Sequence, residues 1–193
     1  KRDMEVALCQ NTAKNAGNAT TARQTRSFEA WITTNKSRGT GGADGSASAA
    51  ATDAATGNRR ALTEALLKGV LQSMFTNGAE PKMAIAGPVN KGVISGFTGR
   101  ANTRQNVSAD TVSASISVYA SDFGELQIVP SNRSRDRSLL LVDPEYAKVA
   151  YLRNFQTMDI AKIGDADTKM ILAEYGLEMS NEAAHGIVAD LTA

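Results

Sequence analysis

The chain has 193 residues, of which 42% are hydrophobic and 21% charged, an ordinary balance for a globular protein. Its 21 lysines and arginines against 20 acidic residues give a net charge of +1, without the basic excess of a protein that coats nucleic acid. One Cys and one His exclude a disulfide framework and argue against a protein-ligated zinc site, and no apolar run reaches the roughly 20 residues that span a bilayer.

The first predicted element is an amphipathic helix that is already under way at residue 1. Met4, Ala7, Leu8 and Asn11 recur at i, i+3, i+4 and i+7, and no N-cap residue precedes them. We therefore expect this helix to be cut in its middle and the chain to be a fragment of a longer protein. A short second helix follows, in which the segment RSFEAWITTN carries the single Trp on its apolar face.

The segment 36–58 is composed mostly of Gly, Ala, Ser and Thr and contains no Leu, Ile, Val, Met or aromatic residue. Such a composition buries too little apolar area to offset the entropy of ordering, so it predicts a long mobile loop. Its GTGGADG stretch lacks the spacing of a phosphate-binding loop. We expect trypsin to cut first at Lys36, Arg38 or Arg59.

Two further helices and a strand are predicted next. Asn58 can cap a helix over 59–76, which Asn77-Gly78 ends. The apolar run KMAIAG predicts a buried strand, and Pro88 opens another helix. This order predicts two helices packed on one sheet.

The second half of the chain changes to the period of β-strands. TVSASISVY alternates apolar and polar residues, and ELQIVP and SLLLVD follow it closely, which predicts an antiparallel meander. AKVAYLRNF is too short to assign. KMILAEYGLEM alternates, and AHGIVADL is predicted to be the last strand. Helices first and strands later predict the α+β class.

A dense polar group lies between two of these strands and consists of Arg133, Arg135, Asp136 and Arg137. Its local charge of +2 is too small for nucleic-acid affinity but suits pairing with carboxylates of a neighbouring subunit. A solvated hairpin tip without chemistry explains the same residues. The sequence alone leaves both interpretations open.

The sequence contains no complete catalytic or metal-binding motif. His185 lies in an alternating apolar run without an adjacent nucleophile, which favours a structural histidine over a general base. Asp165 and Asp167 begin a calcium-loop pattern that is not completed. Cys9 is predicted to be a small packed side chain. We therefore predict no catalytic, cofactor-binding or metal-binding residues.

Three stretches together resemble a known family. They are the opening KRDMEVALCQNTAKNAGNATTAR, the central FGELQIVPSNRSRDRSLLLVDPEYAKVAYLRNF and the late DIAKIGDADTKMILAEYGLEMSNEAAHGIVADL. Their order is similar to that of major capsid proteins of tailed bacteriophages and prophages with the Hong Kong 97-type fold. The resemblance covers most of the chain except the Gly/Ala-rich segment.

The resemblance implies the end of a spine helix at 1–24, an axial domain at 25–165 and a return to the peripheral domain at 166–193. It implies a non-enzymatic shell subunit that assembles with itself into pentamers and hexamers, is made in the bacterial cytoplasm and resides in the virion. Other capsid or portal proteins are possible partners, packaged DNA would be contacted only non-specifically, and no membrane is involved. The group 133–137 then becomes a candidate intersubunit contact.

Two other classes of function remain open. A small hydrolase or nucleotide-binding protein would use His185 together with the arginines of 133–137, and would show a pocket that collects them with a carboxylate. A β-rich phage adhesin or decoration protein would show a closed sandwich or barrel.

Overall fold

The computed structural model describes residues 2–97, 118–162 and 164–192. The described helices are α1 (Arg2–Cys9), α2 (Phe28–Trp31), α3 (Glu64–Thr76) and α4 (Pro88–Ser95). The described strands are β1 (Asn35–Ser37), β2 (Met83–Ala86), β3 (Val118–Ser121), β4 (Gly124–Pro130), β5 (Leu139–Val142), β6 (Ala147–Asp159), β7 (Lys169–Met179) and β8 (Gly186–Val188). The predicted α+β class is confirmed. The predicted strand over 111–119 lies largely outside the described residues, which include only its end in β3.

Six strands form one mixed sheet in the order β1-β8-β5-β2-β4-β3. The pairs β1–β8 and β2–β4 are parallel, whereas β2–β5, β5–β8 and β3–β4 are antiparallel. The predicted meander is therefore wrong for β4 and β5, because β2 lies between them and pairs with both. The connection that carries residues 133–137 is not the tip of a hairpin.

The buried strand β5 explains this arrangement. Its residues Leu139 and Leu141 belong to an apolar cluster on one face of the sheet, and Leu140 and Val142 belong to a second cluster on the other face. Helices α3 and α4 contribute to the first cluster, while α1, α2 and the base of β6 and β7 contribute to the second. A strand that is covered on both faces reads as a continuous apolar run, as LLLV does.

Helix α3 begins five residues later than the sequence predicted. Thr63, not Asn58, is its N-cap, and the Thr63 hydroxyl accepts a hydrogen bond from the Leu66 N–H at 3.4 Å. Asn58 instead ends a single 3-10 turn. The Gly78 φ of 78° follows the C-terminus of α3, as the predicted Asn-Gly stop requires.

The Gly/Ala-rich segment 36–58 is fixed by polar contacts, which the composition argument did not consider. The buried Asp190 carboxylate accepts hydrogen bonds from the Gly39 N–H at 2.9 Å and from the Ala54 N–H at 2.7 Å. A Cβ at Gly42 would overlap the same carboxylate, so a glycine is required there. The segment therefore has a polar anchor, a charged residue distant in the sequence, and its predicted mobility stays a prediction.

Strands β6 and β7 form a separate two-stranded sheet, here called the ribbon. Pairing runs from Ala147↔Met179 to Asp159↔Lys169, with two irregularities in register. The predicted domain boundary at 165/166 falls between the paired strands β6 and β7, and that division of the chain stays a prediction. The strand that follows the ribbon, β8, returns to the six-stranded sheet.

Replacing Asp190 should release the segment 36–58. Asp190→Asn keeps a residue type that tolerates its φ of 60° but cannot accept both N–H groups equally well, so we expect a loss of about 1–2 kcal/mol of unfolding free energy. Trypsin cleavage at Arg38 and Arg59 should accelerate, as measured by mass spectrometry of timed digests. The exposed Asp165→Asn is the matched control. Equal cleavage of the wild type and Asp190→Asn would show that the segment is mobile despite its contacts.

Candidate subunit-contact surfaces and the buried charge cluster

Arg135 lies at the centre of a buried charge cluster. Its Nη1 donates to Glu29 Oε2 at 3.0 Å, and its Nη2 donates to Asp53 Oδ2. Arg137 Nη1 donates to the same Asp53 oxygen at 3.1 Å, and Ser138 Oγ donates to Glu29 Oε2 at 3.1 Å. The Arg135 side chain is only 13% exposed and that of Glu29 only 1%. The guanidinium therefore balances two carboxylates within its own chain.

The cluster continues into the Gly/Ala-rich segment. Arg38 Nε donates to Asp44 Oδ1 at 2.8 Å, Arg38 Nη1 lies 3.9 Å from Glu29 Oε1, and Lys36 pairs with Asp44. Burial raises the pKa of the Glu29 carboxyl, and the charges of Arg135 and Arg38 oppose that shift. The cluster joins α2, the segment 36–58 and the β4–β5 connection.

Asp136 holds the start of α4. Its Oδ1 accepts a hydrogen bond from the Val89 N–H at 3.1 Å, and its backbone carbonyl accepts one from Asn90 Nδ2 at 2.8 Å. A side chain at Gly87, the residue before α4, would overlap the Asp136 carboxylate. This carboxylate satisfies a helix N-terminal N–H group, the position where a negative charge is stabilising.

Arg133 and Arg137 are the members of the predicted contact group that remain accessible. The Arg137 side chain is 42% exposed, and Arg133 is partly exposed, its backbone carbonyl accepting from Gln10 Nε2 at 2.7 Å. The interpretation of 133–137 as a free tip is corrected for Arg135, Asp136 and Arg137, because all three bind groups of their own chain. An intersubunit role for Arg133, Arg135, Asp136 and Arg137 stays a prediction.

His185 is fully buried, which is the structural role that the sequence favoured. Its Nδ1 accepts a hydrogen bond from the Asp143 N–H at 3.2 Å, and its ring meets the Phe28 ring edge-on at a centroid distance of 6.2 Å. Burial lowers the pKa of His185, although the nearby charges of Asp143 and Glu182 act in the opposite direction. The imidazole is a neutral core group rather than a base exposed to a substrate.

The root of the ribbon is fixed by a second set of polar contacts. The Ser180 N–H donates to the Tyr146 carbonyl at 2.9 Å, which joins the two ends of the ribbon. The Glu182 carboxylate accepts from the Thr34 N–H and the Thr34 hydroxyl, both at 2.7 Å, and from the Thr33 N–H. Burial acts to raise the pKa of Glu182, but these donors outweigh it and the pKa lies below its ordinary value.

Sequence reasoning missed Glu29, Asp53, Asp190 and Asn35. The Asn35 side chain donates to the carbonyls of Ala183 and His185 at 2.7 and 3.0 Å, and it accepts from Ser73 Oγ and Asn77 Nδ2. In the sequence, each of these is a charged or amide residue inside a stretch of small or apolar residues. This pattern indicates that the side chain needs a specific partner in the fold, but it does not identify that partner.

A groove lies between α1 and the ribbon. It has a volume of about 830 Å³ and is lined by Asp3, Val6, Ala7, Thr12, 23–25, 150–152 and 173–176. A second groove of about 620 Å³ lies against β2 and β4 and includes Cys9. Neither groove is lined by His185 or by any residue of 133–137. The pocket that a hydrolase using these residues would need is therefore not formed by either groove.

The ribbon exposes large apolar side chains. Leu152 is 78% exposed and Ile171 is 71% exposed, and further apolar residues accompany them. Those further residues are Tyr151, Phe155, Met158, Ile160 and Met170. A concentration of this kind is typical of a surface that contacts another protein.

The described ranges, 2–97, 118–162 and 164–192, contain no group of three or more His, Cys, Asp or Glu residues placed to hold a metal ion. In the same part of the chain, no helix combines the length and apolar character needed to cross a bilayer.

Removing Arg135 should destabilise the fold, in contrast to removing Arg133. Arg135→Ala leaves the buried Glu29 and the half-buried Asp53 without their shared partner, which should lower the unfolding free energy by about 3 kcal/mol. Arg133→Ala should change it by less than about 0.5 kcal/mol. Urea denaturation measures both. Similar values for the two variants would contradict the central role of Arg135.

His185 should make the protein less stable in acid. Because burial lowers its pKa below the ordinary 6.5, the unfolded chain takes up the proton first, and stability falls as the pH drops below about 6.5. His185→Asn keeps an acceptor for the Asp143 N–H but does not titrate. Urea midpoints at about pH 7.5 and 5.5 should therefore differ less in His185→Asn than in the wild type. Equal differences would show that His185 does not cause the acid sensitivity.

Comparison with known proteins gives the family. The family model for the SU10 major capsid protein matches residues 1–192. No curated protein was found that matches the chain in sequence. Among solved structures, the chain is similar to a virus-like particle from Pyrococcus furiosus, with 12% identity and a TM-score of 0.41. That likeness covers 66% of this chain and 52% of the other, so the chain spans about half of its structural neighbour. The chain belongs to the SU10 major capsid protein family.

Proposed function

We propose that this protein is a non-enzymatic subunit that assembles with itself into the closed icosahedral head of a tailed phage or prophage. Membership of a major capsid protein family over residues 1–192 supports this role. The proposal places the protein in the virion, in pentamers and hexamers. Contact with packaged DNA would be non-specific, since the net charge of +1 provides no strong attraction to phosphate.

The observation that carries the proposal is the exposed ribbon. A two-stranded hairpin is marginally stable by itself in water, and this one presents Leu152 and Ile171 almost fully to solvent. Its base is packed on the core through Val149 and Leu177, while its distal half is left without cover by the other residues that the structure describes. Such a feature is stable when neighbouring subunits cover it.

We propose a Hong Kong 97-type arrangement with revised boundaries. The six-stranded sheet with α3 and α4 would form the axial domain, which includes β8. Helix α1 and the ribbon would form the peripheral part, because Tyr151 Oη lies 3.3 Å from Met4 Sδ and ties the ribbon to α1. This division follows the two sheets, unlike a boundary at 165/166.

The rival enzymatic function receives less support from the geometry. His185 is buried and accepts a backbone N–H, and Arg135 is neutralised by Glu29 and Asp53. None of these groups lines the two grooves described above. A sandwich or barrel, expected for an adhesin or decoration protein, is also not supported, because the six-stranded sheet is open and carries helices.

Assembly of the intact gene product that carries this chain tests the proposal. We expect closed, uniform particles by negative-stain electron microscopy and a matching fast boundary in sedimentation velocity. The control is a broad hydrolase and phosphatase panel on the same protein. Absence of particles, together with turnover that disappears in His185→Asn, would replace the shell role by the enzymatic one.

A further inference from the structure

One apolar stripe runs along β7 from the protein core into solvent. Alternate residues of a strand share one face, so Met179, Leu177, Tyr175, Ala173 and Ile171 form a single row. Met179 and Leu177 pack against the core cluster, Tyr175 and Ala173 line the 830 Å³ groove, and Ile171 is 71% exposed. The stripe is therefore covered by the protein core on one side of the groove and exposed to solvent on the other side.

The groove has the character of a protein contact rather than of a small-molecule site. Val6 and Ala7 of α1 form its apolar wall, and Asp3 and Arg23 supply charges of opposite sign within its lining. An apolar centre with a polar rim is the usual anatomy of a protein–protein interface. Apolar side chains that fill the groove would extend the protein core along the stripe of β7.

The chain cannot fill this groove with its own distal ribbon. Ile171 belongs to the same extended strand as Ala173 and Tyr175, about 7–13 Å further along it. An extended strand carries its distal residues away from the groove instead of back into it. A distal ribbon that enters the groove must therefore belong to another copy of the chain.

The ribbon is suited to bind a partner through the side chains on its face, and not through backbone pairing of β6 with a new strand. Pairing with β7 is irregular between Tyr151 and Arg153 and again between Arg153 and Gln156. Bulges of this kind bend a strand and blunt its edge against a new neighbour. Side chains on the ribbon face, not backbone groups of β6, are then available for recognition.

We propose that the groove between α1 and the ribbon receives the distal ribbon, residues 156–160 and 168–172, of a second copy of this chain. The inference rests on the proposed self-assembly and assigns it a specific contact. Ile171 would enter the groove together with Thr157, which pairs with it and therefore shares its face of the ribbon.

Charge supports this occupant. The distal ribbon carries Asp159 and Lys169, which form an exposed and therefore weak pair, and they can be matched by Arg23 and Asp3 of the groove. One such contact joins the 14 residues that line the groove to the ten residues of the distal ribbon. Because a stable interface uses roughly 20–30 residues a side, this contact would be one part of a larger interface between subunits.

Site-directed cross-linking of the intact gene product tests the contact. Val6→Cys places a thiol in the groove and Ile171→Cys places one on the distal ribbon, and both positions are exposed enough to leave the fold intact. Burial raises the pKa of the native Cys9 thiol to about 11, so it should not react near neutral pH. A mixture of the two variants is treated with a short bismaleimide.

We expect cross-linked Val6→Cys/Ile171→Cys dimers at about tenfold the yield obtained with Glu80→Cys as the partner of Ile171→Cys. Glu80 is an exposed residue that lines neither of the two grooves. Equal yields, or products formed mainly between two Ile171→Cys chains, would overturn the proposal. The latter product would indicate that ribbons pack on each other.

Introducing a charge into the stripe tests the contact independently of the cross-linking experiment. Ile171→Asp should weaken association about tenfold or more, because one buried anchor of an interface is replaced by a carboxylate. Val93→Asp, an exposed apolar residue on α4, is the control and should leave association unchanged. Equal effects of the two substitutions would contradict the contact.

The two proposals can fail separately. Closed particles without the Val6→Cys/Ile171→Cys product would preserve the shell role and refute the groove contact. The cross-linked product in open oligomers that never close would support the contact and refute the shell role.

Discussion

The fold depends on the complete enclosure of β5. Four consecutive buried aliphatic residues require apolar cover on both faces of the sheet and a hydrogen-bonded strand at each edge. Strands β2 and β8 supply the edges, and the two apolar clusters supply the faces. The position of α3 on one side, of α1 and α2 on the other, and of the ribbon root beside them follows from this single requirement.

Carboxylates, rather than large apolar side chains, hold the Gly/Ala-rich segment in place. Asp190 binds two backbone N–H groups of that segment, and Glu29 and Asp53 share Arg135. Interactions of this type contribute modest net stability, but removal of one partner leaves a buried charge without compensation. They therefore specify one path for a segment whose composition alone would permit many.

Local sequence patterns predicted the elements that depend on local chemistry. The Asn-Gly stop after α3, Pro88 at the start of α4 and the alternation along β7 all have their causes within a few residues. The order of strands depends on β2, which lies far from β4 and β5 in the sequence, and the short connections between strands favoured a meander instead. The partners of Arg135 are likewise more than 80 residues away. A polar residue type indicates the need for a partner but not the partner's location.

The parallel pairing of β1 with β8 has a consequence for synthesis of the protein. One of the earliest strands of the chain pairs with its last described strand, and β8 also completes the edge of β5. The six-stranded sheet cannot close until residues 186–191 have left the ribosome, because contacts so distant in sequence form late. During translation, the apolar edge of β5 and the exposed ribbon are both without cover, a state that is prone to aggregation and that chaperones recognise. Closure of the six-stranded sheet and the ability of the subunit to join other subunits therefore both depend on β8.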